Sequence, residues 1–472
     1  MTGTLRQWWW AGLIMAAVVA AWGCEHSPWR WEQRDKVSYL RGPYNYDFWN
    51  RHNESYRFGS TIHFAHGIQH DILETTPLAE HVKWDEWTNG RYVDKSYDKM
   101  RLEPHMMYWG PYVFQGAWKL YWSIDWTHMH HEQTYDVLSS PQIAWPDKDP
   151  WTVRSVGYYL EMSEWARSPA PLDLTMRRAG TMMKPYFTYF RNYYPKSSNY
   201  FFVAHWWHPV IYEAMMIAGN DDEQSVSVQQ AQNLLPVALE DRPLRMLLSR
   251  EMMPRYSRMS PASANIFDNL HMLHGIAYDI LAYEGWTMDQ KRAELYRVLK
   301  AMSYQEGDEQ YVRTFPLPHP EMDPRVYYEW MKPVEGSMNE IMFTMLQEMW
   351  PLLGPDGSGE LPPEVVDQFW KKMTPGLQEG EVEGSLHDAI MAVAPNIKMM
   401  PEASEPGVPA QKMIDAMVEA WTSRLPEIPE VEPYPMAEDP VLPPLEKPAD
   451  GVIAPLDPND VQQAKRGWCL TW

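Results

Sequence analysis

HFAHGIQHDIL (residues 63–73), HMHHEQTYDVL (128–138), HWWHPVIYEAM (205–215) and HMLHGIAYDIL (271–281) align without a gap. They share the pattern H-x-x-H-x-x-x-[HY]-[DE]-x-[LM]. With 16 histidines in 472 residues, chance would supply about 0.5 pairs spaced three apart. The four copies begin 65, 77 and 66 residues apart, room for a helical hairpin with its connections in each unit. At 100° per residue the two histidines and the His/Tyr lie at about 0°, −60° and −20°, the acid near +80° and the Leu/Met near −80°. One helical stripe carries them all, so the spacing predicts an internally repeated helical protein.

The surrounding sequence agrees with a mainly α fold, built as a bundle or a solenoid-like array of repeated hairpins. MDQKRAELYRVLKAM (288–302) spaces its apolar residues at helical intervals, and few stretches alternate as a strand would. Polar breaks fall at Asp147-Lys148-Asp149-Pro150 and Gly219-Asn220-Asp221-Asp222. We divide the chain into a leader (1–23), a linker (24–50), a helical repeat domain (51–350), a small helical region (351–425) and an acidic Pro-rich tail (426–472). Leu361-Pro362-Pro363-Glu364 reads as a helix start, and Gln411 to Arg424 as an amphipathic helix. Between Pro426 and Pro458 stand ten prolines and eight acids against one lysine, a composition too poor in apolar surface to fold alone.

A stripe of histidine, tyrosine and acid faces inward only when its polar atoms are satisfied, since each buried orphan costs about 1–3 kcal/mol. Four converging stripes gather a candidate metal set: His63, His66, Asp71, His128, His131, Asp136, His205, His208, Glu213, His271, His274 and Asp279. His70, Tyr135, Tyr212 and Tyr278 would support them from behind. Imidazole and carboxylate suit Fe, Cu, Mn or Zn, and i, i+3 spacing lets two side chains share one ion or two adjacent ones. Open coordination positions would make the protein an enzyme, filled ones a carrier.

Non-covalent haem between facing histidines is a variant, whereas a di-iron carboxylate bundle wants Glu-x-x-His. An active site that uses only two of the four copies is expected to draw on copies one and two. Pro209 is expected to begin a helix, leaving His205 and His208 in the turn before it. The competing reading is a metal-free scaffold whose stripes are each satisfied locally and whose tail engages an envelope complex. Where the stripes point separates the two. The abundance of methionine, 32 residues, fits an irregularly packed helical core better than a soft Cu(I) tract.

A net charge of −22 argues against nucleic acid as a partner. Arg6 followed by an apolar run from Trp8 to Gly23 forms a charged n-region and a short h-region, the pattern of an export signal. The end of the run, Ala21-Trp22-Gly23-Cys24, resembles the lipobox of bacterial lipoproteins, with Ala21 where that family favours Leu and Trp22 where it favours a small residue. The resemblance implies lipidation of Cys24 and a membrane tether in the cell envelope. Glu25 is not the aspartate that retains such proteins in an inner membrane, which favours the outer membrane where two exist. An ordinary cleaved signal and an uncleaved anchor are the alternatives. Cys469 is the only other cysteine, so no disulfide framework is available.

Overall fold

The computed structural model describes residues 46–98, 117–161, 164–315, 323, 337–353 and 360–373. The leader, Cys24, the helix expected at Gln411–Arg424, the tail and Cys469 lie outside them. Within the described residues the protein is all-α, and the one extended pairing is an isolated bridge between Arg167 and Ser303. No described helix is long and apolar enough to cross a membrane.

In chain order the helices are α1 (Asp47–Arg51), α2 (Asn53–Thr75), α3 (His81–Tyr97), α4 (Trp118–Ser139) and α5 (Lys148–Glu161). Next come α6 (Leu172–Ala179), α7 (Tyr189–Tyr193), α8 (Pro195–Ile217), α9 (Asp221–Gln232), α10 (Leu235–Glu240) and α11 (Ser249–Met252). The last are α12 (Pro254–Met259), α13 (Pro261–Ala282), α14 (Met288–Ala301), α15 (Ser337–Leu353) and α16 (Pro363–Met373). The boundary drawn at residue 51 therefore falls inside α1, and the one at 350 inside α15.

Local chemistry explains several of these starts. The Asn220 side chain accepts from the amides of Asp222 and Glu223 and caps α9. Thr287 and Gln290 form a reciprocal capping box on α14. Proline occupies the first turn of α8, α12 and α13, where its missing N–H costs nothing. The four long helices α2, α4, α8 and α13 each carry one copy of the histidine pattern. Helix α8 is buried almost all round, as a helix at the centre of the packing must be.

The repeating unit is larger than one hairpin. His63 and His205 stand 142 residues apart, and His128 and His271 stand 143 apart; bonds elsewhere follow the same offsets. Asp136 on α4 accepts from the amides of Tyr46 and Phe48 at 3.0 and 2.9 Å, capping α1. Asp279 on α13 accepts from Thr188 and Phe190 at 2.9 and 2.8 Å, capping α7. Tyr46 and Thr188 both take a left-handed backbone, each with φ 69°, which is strained for a side chain with a Cβ and more so for a β-branched one. Lys148 donates to the carbonyls of Val137, Leu138 and Ser140 at the end of α4, and Lys291 to that of Leu281 at the end of α13. Helices α1, α2, α4 and α5 thus correspond to α7, α8, α13 and α14.

Each of these caps satisfies two helix-terminal amides and holds a strained residue in place. Asp136→Ala and Asp279→Ala should each lower stability by about 1–3 kcal/mol, read from chemical denaturation midpoints; an unchanged midpoint in both would show that the caps are dispensable.

Candidate metal centre

Helical period alone places the first and second histidines of each copy on one face of its helix, and the packing turns all four faces toward a common interior. The eight are between 2 % and 7 % exposed. His63 stacks on His128 with ring centroids 4.0 Å apart, and His205 meets His271 at 4.1 Å. These are corresponding pairs of the two halves. His66–His274 at 4.5 Å and His131–His208 at 4.9 Å correspond likewise.

Two groups of three offer ring nitrogens that all lie within 4.8 Å of one another: His66, His205 and His274, and His131, His208 and His271. Every copy of the pattern contributes to them, not mainly the first two. The reason is the packing order: α8 and α13 sit against both α2 and α4, so copies three and four supply both groups.

The third copy also departs from expectation. Pro209 lies inside α8, which runs unbroken from Pro195 to Ile217 and carries His205 and His208 within it. A proline there removes the amide that would bond the carbonyl of His205 and costs about 3 kcal/mol in an isolated helix. Enclosure by neighbouring helices holds α8 together across it. Gly67 stands at the corresponding position of α2.

The acids do not reach the histidines. Asp136 and Asp279 turn to the amides described above. Glu213 accepts from the amides of Arg255 and Tyr256 and from the Arg255 guanidinium at 2.7 Å, capping α12. Asp71 lines a separate apolar groove of about 670 Å³ with Phe64, Ile68, Trp84 and Trp87. Lying about 80° from the first histidine on the helix, the acid of each copy faces a different neighbour, so the centre is imidazole-only.

The structure places His70, Tyr135, Tyr212 and Tyr278 beside the histidines. His131 Nδ1 lies 3.0 Å from the Tyr212 hydroxyl, which donates to the backbone carbonyl of His131 at 3.2 Å. With the tyrosine hydrogen so used, Nδ1 of His131 is the donor and its Nε2 keeps a bare lone pair. His70 takes the place of Tyr212 in the other half, its Nε2 2.9 Å from Nε2 of His274. Tyr135 donates to the carbonyl of His208 at 2.9 Å. Tyr278 packs on His274, with centroids 4.7 Å apart. His205 Nδ1 donates to the Phe201 carbonyl at 2.5 Å, leaving Nε2 as its acceptor.

Several ring nitrogens find no hydrogen-bond partner among the described residues: both of His66, Nδ1 of His128, His208 and His274, and Nε2 of His131 and His271. By contrast His130, outside the repeated pattern, is satisfied by the hydroxyls of Ser155 at 3.1 Å and Ser263 at 2.6 Å. Sequence reasoning missed Gln69, buried three residues after His66 on the same stripe; extending the helical period by one step would have found it. Of the paired methionines, Met182, Met215, Met252 and Met253 are buried in the core.

Burial drives the imidazoles of His70 and His205 down to about 3. Burial first, then repulsion from neighbouring rings, holds His66, His128, His131, His208, His271 and His274 well below the ordinary histidine value. The rings are neutral and present lone pairs at neutral pH, as metal ligands must.

No family model, curated protein or solved structure matches the chain.

In the unfolded chain these rings would titrate near 6.5. Below that pH the unfolded state binds protons that the metal-free native state refuses, so stability is full above about 6.5 and is lost as pH falls. Burial also raises Asp136, Glu213, Asp268 and Asp279 to about 7, which favours the native state between pH 7 and 4, but the histidines outnumber them. The metal-free protein should lose stability between pH 6.5 and 4.5 in urea titrations; a rising midpoint over that interval would contradict a neutral buried cluster.

Proposed function

We propose that this chain is a transition-metal protein of the cell envelope, tethered through Cys24, with two adjacent ions each held by three imidazoles. The reading rests on one observation: two triplets of buried histidines, one drawn from each of three helices, whose ligand atoms converge within 4.8 Å. Neutral nitrogen donors without a carboxylate suit Cu, Fe, Ni and Zn, and suit Mn poorly. Hydrogen bonds from His131 to Tyr212 and from His205 to the Phe201 carbonyl orient first ligands in the way outer partners do at metal sites. The rings stand 4.0–6.5 Å apart, spacing that favours ions over a porphyrin slot.

Three protein ligands leave a coordination position open, as catalytic metal sites do. Redox or ligand-activating chemistry therefore fits better than storage. The satisfied His130 favours the second reading, a scaffold whose polar core needs no ion, since hydroxyls alone can quiet a buried histidine here.

Metal content and optical spectra of the protein purified from its native host decide between them. We expect two ions per chain in the unmodified protein, about one in His66→Ala and in His131→Ala, and almost none in the double variant. A protein that comes metal-free and refuses added Cu, Fe, Ni and Zn would overturn the metal reading and leave the scaffold.

A further inference from the structure

Beside the first triplet lies a small chamber of about 10 Å³ whose lining includes His66, Gln69, Tyr92, Phe201 and Tyr278. Every one of its lining residues is buried. That volume is the minimum for a single water, and a buried water needs two to four polar partners. The chamber offers them. The Gln69 amide nitrogen, the Tyr278 hydroxyl and both nitrogens of His66 find no hydrogen-bond partner among the described residues. Gln69 is held in place because its carbonyl oxygen accepts from the Tyr92 hydroxyl at 2.9 Å, which leaves its two amide hydrogens as the free function. Orphans of this kind cost about 1–3 kcal/mol each, and three residues carrying them around one water-sized space describe a polar site.

We infer that this chamber takes one heavy atom of a ligand that accepts hydrogen bonds, such as water, hydroxide or the outer atom of a metal-bound diatomic. The ligand adjoins the ion held by His66, His205 and His274. The inference rests on the metal reading and deepens it, because it names what fills the open coordination position. Gln69 donates to the ligand from one side and the Tyr278 hydroxyl from another, while Phe201 and the Tyr92 ring close the space against anything larger. The chamber adjoins only the first triplet among the described residues, and His70 stands there where Tyr212 stands at the second, so the two ions differ: one meets exogenous ligand and the other does not.

The test uses the metal-loaded full-length protein, with metal content measured in every sample. Cyanide, a two-atom probe, should shift the metal-centred optical or EPR signal, and imidazole, a ring too large for the chamber, should not. Tyr278→Phe removes a hydroxyl that bonds nothing else in the described structure, so the fold is unaffected; cyanide should bind it about 5- to 10-fold more weakly, the worth of one net hydrogen bond. Gln69→Met, a second variant, should weaken it by a similar factor. Equal binding of imidazole and cyanide, or unchanged cyanide affinity in both variants at full metal content, would overturn the chamber while leaving the metal centre standing. Absence of metal from the unmodified protein would overturn both, and the metal assay reports that case separately.

Discussion

A buried imidazole must give one nitrogen a proton acceptor and the other a donor or an ion, and in this protein the core is built around that requirement. Eight histidines of the repeated pattern sit where aliphatic residues would pack more cheaply, and several of their nitrogens meet no hydrogen-bond partner among the described residues. At roughly 1–3 kcal/mol for each orphan, the sum would rival the whole stability of an ordinary domain. Helix packing, ring orientation and the suppressed basicity of the cluster all follow from how that demand is met. An ion would answer it by taking the lone pairs directly, and His130 with its two serines, the residue before His131, shows the alternative answer.

The correspondence of the two halves is the second organising fact. It extends from the histidines to the caps, the left-handed residues before α1 and α7, and the lysines that bind the ends of α4 and α13. Because these bonds join different elements, their recurrence reflects a repeated arrangement in space and not merely a repeated helix. The correspondence is also broken where it matters chemically. His70 faces Tyr212 across it, and Gly67 faces Pro209, so the two triplets share a design without being identical.

The helical fold was legible because histidine, tyrosine and aliphatic positions recur at 3.6-residue spacing, and a stripe that gathers polar groups reports its own burial. The eight histidines were legible for the same reason. The acids were not: each copy places its carboxylate well off the histidine line, and only the packing shows that α1, α7 and α12 bring their amide ends to Asp136, Asp279 and Glu213. Those capping helices span five or six residues, too short for a periodic signal. Pro209 misled because local propensity marks a helix start there, whereas the tertiary enclosure of α8 decides otherwise. Gln69 was passed over because it is neither ionisable nor repeated in the other copies.

Each triplet draws one histidine from the first half of the chain and two from the second, so each spans a long stretch of sequence, from His66 to His274 and from His131 to His271. Neither half, and no early folding intermediate with only local helices formed, can assemble it. Chain closure over such distances is slow, because loop entropy is lost before the contacts that offset it exist. The histidine constellation is accordingly a property of the finished topology, and a nascent or partly unfolded chain presents only single His-x-x-His pairs.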